Sequence, residues 1–314
     1  MASLGVCWAA GLFVADEVYA RPAQVTVSDR IAKPDETQMR PDPVTTREIK
    51  EGAAPFILQL TFVDAAMPVA MNAPGFHCTG LGLVAADKVS VITAAHCLAG
   101  NNFSLIPGRA KLPATLLLSD GTRSVPFSLS EGMLTFDKSL TSQFTSAHPF
   151  VWESAKSHDV NVAALFFPGG IGECSAWPTD VVRIQLDAQD VQKHWALTQF
   201  PAANRLTAVS AQPAQSLRVF GGGCTVADSA VCATTAAVYK RYDDSSFAVE
   251  RQLTCGRLLA KSSSTAVVMP GDSGGPVLLA SGSGAKLSEF AGVISGVSDS
   301  GELVVAPAPT TLLQ

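Results

Sequence analysis

From Ala54 onward the chain alternates short apolar runs with turn residues. Phe56-Ile57-Leu58-Gln59-Leu60-Thr61-Phe62 reads as a strand. Residues 81–84 and 89–93 read as two more, joined by a turn at 85–88. Residues 160–167 form a further apolar strand, and 168–212 is a mixed stretch that reads as a crossing between two halves. β character resumes at Val219, with strands expected at 236–239, 277–279, 291–294 and 303–305. Runs of Val, Leu, Ile, Phe and Thr bounded by Gly, Pro and Asp are the pattern of all-β domains.

The first fifty residues differ. Residues 4–15 are apolar around Trp8, Leu12, Phe13 and Val14, and Val18-Tyr19-Ala20 has the small final residue of a signal-peptidase site. Residues 1–20 therefore read as a signal peptide, too short an apolar run to span a membrane comfortably. Residues 21–51 carry Pro22, Pro34, Pro41 and Pro43 among charged residues without a sustained apolar period. Such a stretch reads as a propeptide or flexible leader. The remaining 52–314 is expected to hold one two-part domain: 52–167, a crossing at 168–215, and 216–314.

Composition narrows this picture. Of 314 residues, 47% are hydrophobic and 16% charged, enough apolar material for two cores side by side. The net charge is −5 and no long basic run occurs, which argues against a nucleic-acid partner. Of the seven cysteines, Cys7 would leave with the signal peptide, and Cys78, Cys97, Cys174, Cys224, Cys232 and Cys255 remain. No C-x-x-C pair exists among them, so a zinc ribbon or thioredoxin-type site is disfavoured. Six cysteines in an exported chain read as three disulfides, and the location as secreted or periplasmic.

Three local motifs carry chemistry. One is Cys78-Thr79-Gly80 with Thr93-Ala94-Ala95-His96-Cys97; a second is His158-Asp159-Val160-Asn161-Val162; the third is Pro270-Gly271-Asp272-Ser273-Gly274-Gly275-Pro276. A serine hydroxyl is a poor nucleophile unless a base lies in hydrogen-bond reach and an orienting group holds that base. It also needs donors aimed at the developing oxyanion. Glycines on both sides of Ser273 allow a tight turn with backbone N–H groups pointing inward. An Asp opening an apolar strand, as Asp159 does, would be partly buried and need a donor.

The Thr93–Cys97 and Gly271–Pro276 stretches resemble the two signature motifs of the trypsin/chymotrypsin-like serine protease family, and Asp159–Ala163 is similar to its third. The resemblance runs from about Ala54 to the end. It implies an all-β fold of two six-stranded antiparallel β-barrels with the active site between them. It implies a triad of His96, Asp159 and Ser273, an oxyanion hole from the N–H groups of Gly271 and Ser273, and a disulfide between Cys78 and Cys97. Residues 292–297 are similar to the family's cleft-lining strand. There Ser295 would hydrogen-bond Asp159, and Ser295, Gly296 and Val297 would pair with substrate backbone as an added strand. Protein or peptide substrates and a proteinaceous inhibitor are the implied partners; no cofactor, metal, nucleic acid or stable membrane insertion is expected.

The chain also departs from the family pattern. Val267 stands at the expected base of the primary specificity pocket, and Val297 where a large pocket would have glycine. Cleavage after small or aliphatic residues is therefore expected, not after Arg or Lys. The usual activation terminus, whose ammonium would pair with Asp272, has no clear match. The disulfide just before the nucleophile motif is absent, since Met269 occupies that site.

Three rival readings remain. In an esterase or lipase with a nucleophile elbow, a helix follows the serine and the triad histidine comes later. Here Pro276 and an apolar run follow, and all five histidines precede Ser273. A metal-dependent hydrolase would need a helix-spaced His pair, which is missing. A non-catalytic binding protein on a protease scaffold is the alternative that survives, and chemical labelling of Ser273 separates it from the enzyme.

Overall fold

The computed structural model describes residues 56–63, 76–99, 115–120, 123–136, 180–223, 242–253, 256–263, 268, 271–280, 288–298 and 300–313. These form two antiparallel sheets in chain order. The first holds β1 (Phe56–Val63), β2 (Phe76–Ala85), β3 (Lys88–Thr93), β4 (Thr115–Ser119), β5 (Ser124–Ser128), β6 (Leu134–Phe136) and β7 (Val182–Asp187), in the spatial order β5-β4-β1-β2-β3-β7-β6. The second holds β8 (Thr207–Ala208), β9 (Ser216–Gly221), β10 (Tyr242–Gln252), β11 (Leu258–Ser262), β12 (Pro276–Leu279), β13 (Glu289–Val297) and β14 (Leu303–Ala306). Its order is β12-β9-β10-β11-β14-β13-β8, and β12 also pairs with β13. That extra pairing closes six antiparallel strands into a barrel, while β8 lies parallel to β13 outside the ring. The expected all-β fold is thus present, with one closed six-stranded antiparallel barrel among the described residues where two were expected. Among the described residues, the first sheet is a half-barrel whose ends, β5 and β6, do not meet.

The strands follow from their side-chain alternation. In β5, Val125 and Phe127 are buried while Ser124, Pro126 and Ser128 are exposed. In β7, Val182, Ile184 and Leu186 are buried with Arg183 and Gln185 between them. The expected turn at 85–88 is a two-residue hairpin, with Ala85 facing Lys88 and Ala86 at φ 52°. β7 lies within the stretch read as a crossing, yet it pairs along its whole length with β3, from Lys88↔Asp187 to Thr93↔Val182. Its first sheet therefore draws on residues well beyond 167. The strands expected at 160–167 and 236–239 lie outside the described residues, as do residues 1–55.

Two helices are short: α1 (Ala188–Gln192), capped by the Asp187 side chain accepting from Gln189 N, and α2 (Thr310–Leu313). Among the described residues no helix is long and apolar enough to cross a membrane.

Alternation also explains why the sheets meet where they do. Val219, Ile294 and Val305 point into the barrel. Their neighbours Phe220, Val293 and Ala306 point out of it and belong to the core cluster of the first sheet. The outer face of the barrel is thus apolar along β9, β13 and β14, and burying it against the first sheet creates the seam that holds the candidate site.

Candidate active site

The nucleophile loop leads into β12. Gly271 and Gly274 adopt φ values of 93° and 84°, which side chains rarely tolerate. A Cβ on Gly274 would lie 2.0 Å from Thr93 Oγ1 and 2.3 Å from the Thr79 carbonyl oxygen. The glycine after Ser273 is therefore required by close approach of the first sheet. Gly274 N–H donates to Ile294 O at 2.7 Å, and Gly275 N–H to Asp272 O at 2.8 Å. From the first sheet, Thr79 N–H donates to Ser273 O at 2.7 Å. Among the described residues, neither the Gly271 nor the Ser273 N–H finds an acceptor.

Asp272, for which the sequence shows no clear activation terminus, is fully buried, and its Oδ1 accepts the Gly223 N–H at 2.8 Å. The barrel's own backbone thus satisfies part of this carboxylate.

His96 sits in a 3-10 turn, Ala95–Ala99, directly after β3. A disulfide joins Cys78 on β2 to Cys97 in that turn, as the family resemblance implied. Cys97 Sγ lies 3.8 Å from the Ser273 carbonyl oxygen. The backbone bearing His96 is therefore tethered beside the nucleophile loop.

Asp159 lies outside the described residues, as do Val267, Cys174, Cys224, Cys232 and Cys255. A different acid stands at the seam. Asp180 lies two residues before the start of β7, is 1% exposed, and accepts the Ala95 N–H on its carbonyl at 3.2 Å. Ser295 Oγ donates to Asp180 Oδ2 at 2.7 Å. Ser295 was expected to bond Asp159; among the described residues its hydroxyl donates to Asp180. The reason is register: β7 is the strand that pairs with β3, so the residues leading into β7 arrive next to the end of β3 and the His96 turn. In the sequence Asp180 carries no weight, because residues 160–167 offer a longer, largely apolar run behind Asp159. The available signal was the alternating Val-Arg-Ile-Gln-Leu after Asp180, which suits a strand with one half-buried face better than an unbroken apolar run does.

Arg257 adds a buried cation. It is 1% exposed, and burial lowers its pKa from the ordinary guanidinium value while the Asp180 charge opposes that shift. Leu258 faces Val305, and Val305 faces Ile294, all three inside the barrel. Arg257, one residue away, is on the opposite face, the side toward Asp180.

Ser295, Gly296 and Val297 close the site on β13. Gly296 and Val297 pair with β14 on one side, with Ser295 at a register shift between Ile294 and Gly296; among the described residues no strand covers their other side, because β12 pairs only as far as Val293. The described residues contain no cluster of three or more His, Cys, Asp or Glu side chains that could hold a metal ion.

No protein-family model matches the chain, and no curated protein matches it. Solved structures do. The serine endoprotease from Yersinia pestis aligns over 85% of this chain and 63% of its own length, at 11% identity and a TM-score of 0.40. The scabies mite inactivated protease paralogue S-D1 aligns over 82% of this chain and 88% of its own, at 14% identity and a TM-score of 0.46. Protease Anisep from Arthrobacter nicotinovorans aligns over 81% and 90%, at 14% identity and a TM-score of 0.44. Likeness at this level assigns no activity. In structure, the chain is similar to serine proteases and to an inactivated protease paralogue alike.

Proposed function

We propose that the chain is a secreted serine endopeptidase in which Ser273 is the nucleophile, His96 the base and Asp180 the carboxylate that orients it. The observation that carries this reading is the buried Ser295–Asp180 hydrogen bond at the seam, next to the His96 turn and the nucleophile loop. In the proposed reaction Ser273 Oγ attacks the peptide carbonyl as His96 takes its proton. The tetrahedral oxyanion is held by the Gly271 and Ser273 N–H groups. His96 then protonates the leaving amine, and water hydrolyses the acyl-enzyme by the same steps in reverse. Asp180 fixes the imidazole tautomer and stabilises the imidazolium. The uncovered edge of β13 supports antiparallel pairing with substrate backbone. Val297 on that edge supports a narrow pocket for small or aliphatic side chains.

The test is labelling with a fluorescent fluorophosphonate on chain expressed from Arg21 with oxidised cysteines, with N-terminal sequencing of each species. Wild type is expected to label and Ser273→Ala not at all. Asp180→Asn is expected to slow labelling by about 10⁴-fold, in line with a displaced tautomer, and Asp159→Asn to leave it unchanged. The reverse pattern would restore Asp159 to the triad. No labelling of any species would make the chain a binding protein on a protease scaffold.

A further inference from the structure

A second residue of the first sheet reaches into the nucleophile loop. Thr79 is fully buried on β2. Its N–H takes the Ser273 carbonyl at 2.7 Å. Its hydroxyl donates to the Gly271 carbonyl at 2.7 Å and accepts the Gly222 N–H at 2.9 Å. Its own carbonyl accepts from Thr93 Oγ1 at 2.7 Å.

These contacts control peptide orientation. In a trans peptide the C=O and the following N–H point in opposite directions. The Asp272 carbonyl, held by Gly275 N–H, sets the direction of the Ser273 N–H. Thr79 holds the carbonyls on both sides of that peptide, at Gly271 with its hydroxyl and at Ser273 with its backbone. Gly271 has φ 93°, a conformation with several alternatives for a glycine, so its carbonyl needs an external anchor. The Thr79 hydroxyl is that anchor, and Gly222 in turn fixes the hydroxyl's direction.

We infer that Thr79 is a positioning residue: its side-chain hydroxyl ties the nucleophile loop of the barrel to β2 and, by holding the Gly271 carbonyl, sets the Ser273 N–H at the oxyanion site. The catalytic part of this inference rests on the proposed serine-protease chemistry; the loop-holding part does not.

The experiment compares Thr79→Val, Thr79→Ala and Thr79→Ser with wild type in the full chain. Two readouts are taken: kcat and KM on a small peptide ester, and hydrogen exchange of the peptide covering 271–276. Thr79→Val, close in shape but without the hydroxyl, is expected to lower kcat about 10- to 100-fold with KM little changed, a misplaced oxyanion donor costing less than a lost one. Thr79→Ser is expected to restore most of kcat. Exchange in 271–276 should rise in Thr79→Val and Thr79→Ala while β3 and β7 stay protected, and this holds whether or not the wild type turns over ester. A wild type without activity but with this exchange pattern would sink the protease reading and keep the clamp. Unchanged exchange and kcat in Thr79→Val would overturn the clamp. So would Thr79→Val and Thr79→Ala unfolding where Thr79→Ser folds, since the hydroxyl would then serve the fold and not the loop.

Discussion

The two sheets contribute to the site in different ways. The barrel supplies Ser273 and Ser295 from backbone locked into ladder hydrogen bonds: Gly274 N to Ile294 O, and Ile294 N to Gly275 O at 2.8 Å. The first sheet supplies His96 and Asp180 from just beyond the ends of strands, where no ladder holds them. There the holding is done by single tertiary links: the Cys78–Cys97 disulfide, the Ala95–Asp180 backbone bond and the Ser295 hydroxyl. On the barrel side backbone pairing and the Thr79 contacts hold the nucleophile loop; on the other side the named tertiary bonds tie the groups to the seam. Changes in the barrel loop should therefore break the fold, and changes across the seam should break the site first.

Gly274→Ala is the strongest test of the barrel side. Its Cβ would sit 2.0 Å from Thr93 Oγ1 at a φ of 84°, so a loss of about 4 kcal/mol or more is expected in denaturant unfolding. Separating the Cys78–Cys97 link by the double alanine variant should cost about 3 kcal/mol in the chain-entropy account. Fluorophosphonate labelling of the folded fraction should also fall, because the His96 turn loses its tether. Ser295→Ala removes a hydrogen bond to a buried carboxylate and should cost about 2 kcal/mol. A labelling rate that stays at the wild-type level in this variant would mean that Asp180 needs no help from the barrel.

The smallest effect is expected on the barrel far from the seam. Glu302 is 8% exposed and its carboxyl is held below the ordinary carboxylate range, first by the Ser300 hydroxyl and further by Ser298 at 3.0 Å and by Arg251, against the opposing effect of burial. A depressed folded pKa adds stability that is present above the unfolded pKa and is lost as pH falls through the folded one. Glu302→Gln should therefore lower the unfolding free energy at neutral pH by about 1 kcal/mol, one hydrogen bond to a charged group less its replacement. The gap to wild type should close on acidification. A gap that widens at low pH would reverse the sign and contradict the depressed carboxyl.

Legibility of the sequence divides along the same line. The glycine spacing around Ser273 and the cysteine next to His96 are local signatures, because close approach and tethering require particular residue types at particular positions. β1, β2, β3, β12, β13 and β14 were visible as apolar runs. β10 was not: Tyr-Asp-Asp-Ser-Ser opens it, and it exists because barrel closure pairs it with both β9 and β11 across a register shift at Asp244/Phe247. Asp180 was hidden for a related reason. Two aspartates open apolar segments, and the pairing of β7 with β3, distant in sequence, is what brings Asp180 to the seam. Thr79 gave no signal either, since a threonine in a strand is ordinary until the loop it anchors is seen.

The proline of β5 has a consequence for behaviour in concentrated solution. β5 is the last strand of its sheet among the described residues, and Pro126 stands at its centre opposite Leu117. A neighbouring molecule adding a strand there would find no N–H at the middle of a five-residue edge, with only two residues on either side. Strand addition along this edge would thereby be cut short at Pro126.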